Sequence, residues 1–199
     1  AAWEATTPAA LLEARLGAAD ESLRRATGQA LDGADVARAA ELARIAAEAC
    51  SPEGRPLYAG HASLPWPEPP HLALWHAITL LREFRGDGHL ACLVGAGLDG
   101  IEALVVHAAS GEVPRAALQT SRAWDDAAWD AAVARLADRG LVSTDGAFTP
   151  AGAALRQEVE DGTDRLALAP WAHLGEQGCD ELRSLVRPLS KAIVASGTF

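Results

Sequence analysis

The sequence predicts an all-α protein carrying one small β-wing, and three observations lead there. Alanine and leucine recur at helical spacing along most of the chain, with few β-branched runs to compete. Helix starts and stops are marked, as at Thr7-Pro8 and Gly28. Two short apolar stretches, Leu141-Val142-Ser143 and Ala147-Phe148-Thr149, flank Asp145-Gly146, a two-residue hairpin signal. With 199 residues, 49% of them hydrophobic, the chain can bury a core without metal or disulfide staples.

Taken in order, Thr7 caps and Pro8 opens a first helix to Ala26, with Leu11, Leu12, Leu16, Ala19 and Leu23 on one stripe. A second runs from Ala34 to Ala49, with Val36, Ala39, Leu42, Ala43, Ile45 and Ala46 inward. Pro52, Pro56, Pro65, Pro67, Pro69 and Pro70 then argue for a long extended strap without regular helix. Helix resumes from Pro70 to Phe84. Arg85-Gly86-Asp87-Gly88-His89 reads as a tight break before a buried helix over Leu90–Ala96. Ile101–Ala109, Pro114–Ser121 and a third helix led by Asp125-Asp126 follow, the third closed by Gly140. After the hairpin, Thr149-Pro150 starts a long helix, and Glu176–Val194 forms the last, closing the core or making a dimer interface. The organisation expected is a helical hairpin at 1–50, a Pro-rich connection at 51–69, a helical segment with the RGDGH loop at 70–97, a module at 98–171 and a final helix at 172–199.

Three short helices, a glycine, a hairpin and another helix is the order of a winged helix-turn-helix, here packed against additional helices. Val133-Ala134-Arg135-Leu136-Ala137-Asp138-Arg139-Gly140-Leu141-Val142, followed by Phe148-Thr149-Pro150-Ala151-Gly152, resembles the MarR-type regulator pattern. That resemblance covers roughly 98–171, over a third of the chain. It implies a recognition helix over the first run and a wing behind it. Across 70–171, Leu74-Trp75-His76-Ala77, the Arg85–His89 run and Gly97-Leu98-Asp99-Gly100 with Glu102 are similar to an actinobacterial helix-turn-helix-containing family. Members of that family carry a further helical region ahead of the point where this chain begins. A chain without methionine that opens on Ala1-Ala2-Trp3 reads as a fragment or processed product.

The charges oppose the usual use of such a module. Duplex affinity comes largely from neutralising phosphates, with base edges read by arginine and amide side chains. Over 115–149, Arg115, Arg122, Arg135 and Arg139 face Asp125, Asp126, Asp130, Asp138 and Asp145, one carboxylate more than arginine. The whole chain carries a net charge of −10. Arg115, Arg122, Trp124 and Trp129 are the residues that would face DNA if it were bound, and both tryptophans are expected partly exposed.

A second constellation lies ahead of the module: Trp75, His76, Arg82, Arg85, Asp87 and His89. Trp75 and Arg82 share a helix face, and the expected loop returns His89 towards the helix end. Arginine forks and glycine-flanked amides suit an anion, and His89 suits proton transfer. The same residues also fit a purely structural turn, with Arg85 paired to Asp87. The readings are a small-molecule site between helices, an enzyme using Arg85, Asp87 and His89, or a conventional DNA-binding repressor. Six tryptophans favour core walls, an interface or a ligand cavity.

No cofactor or metal is implied. His71 and His76 are five apart, off one face, and His61, His107 and His173 lie far off in sequence. Cys50, Cys92 and Cys179 read as free thiols of a cytoplasmic protein. No apolar run reaches membrane-spanning length. The partners expected are a small-molecule ligand and either a second copy or the missing N-terminal region, with duplex DNA disfavoured.

Overall fold

A computed structural model describes residues 5–197. Residues up to Phe84 together with those from Leu168 onward form one compact unit, and Arg85–Ala167 form another. Trp3 lies outside the described residues.

In the first unit, α1 (Pro8–Thr27) starts as its sequence dictates, with the Thr7 hydroxyl accepting from Ala10 N, and ends on Gly28 at φ +59°. It lies on the surface: none of its residues is buried, and Leu11 and Leu12 stay exposed, so its apolar stripe is only partly covered. Helix α2 (Ala34–Glu48) presents a face of alanines and leucines. Those small side chains permit close approach, and α2 is where the core of the unit sits, with Leu74, Ala77, Leu80, Leu81, Phe84 and Leu182 packed on it. Ile45, expected inward, is exposed.

The proline strap is corrected in one respect: Pro56–Ala62 is a helix, α3. Pro56 stands at its first turn, where a missing N–H costs nothing, so this proline starts a helix. The Tyr58 hydroxyl then donates towards the Ala47 and Cys50 carbonyls, pinning α3 to the end of α2. Burial raises the Cys50 thiol to about 11. The last helix, α9 (Ala169–Ala195), contains a break at Gly175, whose φ is +76°.

The expected break at Arg85–His89 is absent. Helix α4 runs unbroken over Pro70–Gly95, supplying its first part to one unit and its second to the other. A mid-helix glycine costs only about 1 kcal/mol against alanine. Two of them do not interrupt a helix whose flanking turns pack Phe84 and Leu93 into hydrophobic cores.

In the second unit, α5 (Gly100–Ala109) opens on a reciprocal cap: Glu102 N donates to the Asp99 side chain and Asp99 N to the Glu102 carboxylate. Helices α6 (Arg115–Arg122), α7 (Asp126–Asp138) and α8 (Pro150–Ala167) complete it. Leu98, Ile101, Val105, Val106, Trp129, Ala132, Leu136, Leu141 and Val142 form its core.

The predicted β-wing is not there. Among the described residues no strand forms; Val142 and Phe148 make one isolated antiparallel bridge across the turn. Asp145-Gly146 makes a turn without the strands of a hairpin, with Gly146 at φ +83° and its N donating to the Ser143 carbonyl. The Asp145 carboxylate accepts from the Ser143 hydroxyl and from Ala147 N, closing the turn locally. Its arms cannot lengthen into a ladder. Leu141 closes the end of α7, its N bonding to the Leu136 carbonyl, and Pro150 begins α8. The fold is therefore all-helical, a helix-turn-helix without a wing.

Candidate functional site

In the second unit, α6 and α7 are joined by a turn in which Ala123 adopts the left-handed conformation, φ +56°. Trp124 N bonds to the Gln119 carbonyl, and Asp125 caps α7 by accepting from Ala128 N at 2.7 Å. Trp129, Ala132 and Leu136 face the core. The exposed residues of α7 are Asp126, Ala127, Asp130, Ala131, Ala134, Arg135 and Asp138. Its one cation, Arg135, is paired with Asp99 and Glu102.

The arginines beside it are already engaged. Arg115 lies 2.8 Å from Asp126 and 3.0 Å from Asp130, donates to Gln119, and stacks over Trp129 at 5.3 Å. Bonds from Gln119 and Arg115 hold the Asp126 carboxyl below its usual range, so it stays anionic. Arg135 reaches back to Glu102 at 2.8 Å and Asp99 at 2.9 Å. Arg139 donates to the Gly97 and Ala96 carbonyls, with Glu102 at 3.7 Å. Glu102 is buried, so these arginines cap a carboxylate the core cannot leave bare. Arg122 is exposed and makes no ion pair among the described residues. Trp124 is 41% exposed as expected; Trp129, at 3%, is a core residue and not a DNA-facing one. A groove of about 460 Å³ opens between α5, α7 and the Thr144–Gly146 turn, lined by Val105, Ala108, Val133 and Ala137 together with the charged Arg115, Asp130 and Asp145.

The first unit holds a polar cluster of opposite character. Arg15 of α1 sits 4.2 Å over the ring of Trp75 on α4. His76, next in sequence and 2% exposed, meets Trp66 edge-on at 4.8 Å. His61 of α3 lies 3.9 Å from Glu83, which pairs with Arg82. His61 Nδ1 and His76 Nε2 are buried without a hydrogen-bond partner among the described residues. Burial first, then the charge of Arg15, lowers the proton affinity of both rings, opposed at His61 by Glu83. Both imidazoles are neutral near pH 7. The neighbouring His71 is different, with its Nε2 2.6 Å from the Asp20 carboxylate.

A family model described as a helix-turn-helix family matches residues 1–199. The chain belongs to that helix-turn-helix family. No curated protein and no solved structure matches it.

In this helix-turn-helix protein the six residues singled out ahead of the module are strung along α4 and not gathered by a loop. Trp75, His76 and Arg82 belong to the first unit, where the structure joins the two aromatic residues to Arg15, His61 and Trp66. Sequence reasoning missed those three. Arg85, Asp87 and His89 belong to the second unit. There Arg85 pairs with Glu160 at 3.5 Å and Asp87 is buried. His89 Nδ1 lies 2.9 Å from the Thr163 hydroxyl. That hydroxyl gives its one proton to the Val159 carbonyl, so His89 is the donor, neutral with its proton on Nδ1. Burial lowers its proton affinity too, more than Glu160 restores it. These contacts tie α4 to α8, where a methyl group on Gly162 would stand 2.9 Å from Cys92 Sγ. Among the described residues no single helix is long and apolar enough to cross a membrane.

Proposed function

We propose that this helix-turn-helix protein is a regulator-type module that responds to a small ligand held in its first unit, and that α7 does not by itself read duplex DNA. One observation carries the second clause: Arg115, Arg135 and Arg139 are all engaged with the protein's own carboxylates or carbonyls, while the outward face of α7 carries Asp130 and Asp138. Phosphate contacts supply most of duplex affinity, and this face would repel them. The open valences at His61 and His76 support the first clause.

The test is fluorescence anisotropy of labelled duplexes between 50 and 200 mM salt, a range over which proteins with about six phosphate contacts or more lose on the order of a thousandfold in affinity. Weak binding with a slope near that of one contact, Arg122, is expected. Tight binding with a slope of about six or more contacts, unaffected by any small molecule, would overturn the reading.

A conventional DNA-binding repressor is the second reading. Membership of the helix-turn-helix family, the intact α6–turn–α7 geometry and Arg122, which makes no ion pair among the described residues, favour it. It requires basic charge from a second copy.

A further inference from the structure

We propose that Arg15, His61 and His76 form a binding site for the carboxylate or phosphate group of a small molecule, walled by Trp66 and Trp75. The proposal rests on the ligand-responsive reading above and names the chemistry of that ligand.

The donors come from three elements, and Arg15 and His61 lie near enough to His76 for their charge to bear on its ring. Arg15 comes from α1, His61 from α3 and His76 from α4. Trp75 fixes the guanidinium by a cation–π contact at 4.2 Å. Arg15 makes no ion pair among the described residues, which leaves its fork open to an oxyanion. Elsewhere on α1, Arg24 is bonded to Asp20 and Asp32.

His76 supplies the second element. A buried polar atom without a partner costs stability, and proteins rarely leave one. Here two imidazole nitrogens are left in one cluster, His61 Nδ1 and His76 Nε2. As neutral rings, each can turn its single N–H towards an acceptor by choice of tautomer. One guanidinium and two N–H donors describe an oxyanion hole for a bound group rather than a metal site. Among the described residues no three His, Cys, Asp or Glu side chains gather to hold a cation. Glu83, the acidic neighbour, lies 3.9 Å from His61, also faces Arg15 and is paired with Arg82, so two arginines against one carboxylate leave the cluster net positive.

The ligand's remainder lies towards the partly exposed side, where Arg15, His61 and Trp75 reach solvent. Trp66 is held in place by Arg44, 4.4 Å over its ring.

The test is isothermal titration calorimetry of the full chain with inorganic phosphate and with acetate, alongside thermal unfolding. Saturable binding of at least one anion is expected. It should weaken about tenfold or more in both Arg15→Gln and His76→Phe. His76→Phe removes the orphan nitrogen while keeping the edge contact with Trp66, so its melting temperature should hold or rise even as binding is lost. Failure of both anions to bind would overturn the proposal, as would binding that both variants leave intact. Neither failure touches the duplex titration, which tests separately whether α7 reads DNA.

Discussion

The two units treat their polar groups in opposite ways. Around α7, each of Arg115, Arg135 and Arg139 has found a carboxylate or a carbonyl, and buried Glu102 is held between two guanidinium groups. Around α4 in the first unit, one buried nitrogen on each of two imidazoles has no hydrogen-bond partner among the described residues, and a partly exposed arginine rests on a tryptophan face. A polar group that is fully satisfied contributes structure, whereas one left buried and bare costs stability and is retained for another reason. By that criterion the region shaped like a nucleic-acid reader is the better closed of the two. The region with no recognisable motif is the open one.

The contrast can be broken at its strongest point. A methyl group at Gly152 would stand 1.8 Å from the Leu141 carbonyl oxygen, a contact with backbone that no rotamer relieves. Gly152→Ala should therefore separate α8 from the turn that replaces the wing. We expect a loss on the order of 4 kcal/mol, or failure of the second unit to fold, read by urea denaturation. Binding at the first unit should outlast that change.

A second variant sharpens the comparison from the charge side. Asp126→Asn with Asp130→Asn releases Arg115 to solvent. Exposed pairs contribute little to folding, so the melting temperature should hardly move. Duplex affinity should rise several-fold, with a salt slope steeper by about 0.9, the value for one added phosphate contact. No gain would mean that the α7 face is silent for a reason other than charge.

Acid probes the unsatisfied region. His61, His76 and His89 have native proton affinities depressed below the ordinary value of about 6.5, mainly by burial. The unfolded chain therefore binds protons that the native state resists. The stability these rings contribute is present above about pH 6.5 and is lost as pH falls through their lowered native values. Melting temperatures should decline from pH 7 to 5, and His76→Phe should flatten that decline.

The smallest effect concerns the turn between α6 and α7. Ala123 at φ +56° carries the strain of a left-handed L-residue. Ala123→Gly should stabilise the second unit by about 1 kcal/mol in a urea titration, without changing duplex binding.

Much of this architecture was legible from local signals. Thr7-Pro8, Gly28, Asp125 and Gly140 each mark a helix end through groups within a few residues, and the structure uses all of them. The wing failed because a strand needs a neighbour with free donors over several residues, and the helices on either side of 141–149 leave only one bridge. The Gly86 and Gly88 pair carries the local signal of a break, which the packing of Phe84 and Leu93 on either side overrides. The polar cluster was half legible. Trp75 and His76 stood out, but Arg15 and His61 reach them only through the packing of α1 and α3, which no spacing rule reports.

Imidazole ¹⁵N NMR on the histidine-labelled full chain, titrated with inorganic phosphate and with acetate at pH 7, separates the satisfied from the unsatisfied most directly. His61 and His76 should appear as neutral rings whose signals move on addition of at least one anion, while His71 and His89, already bonded to Asp20 and Thr163, stay in place. Signals of His61 and His76 that neither anion moves would contradict the account.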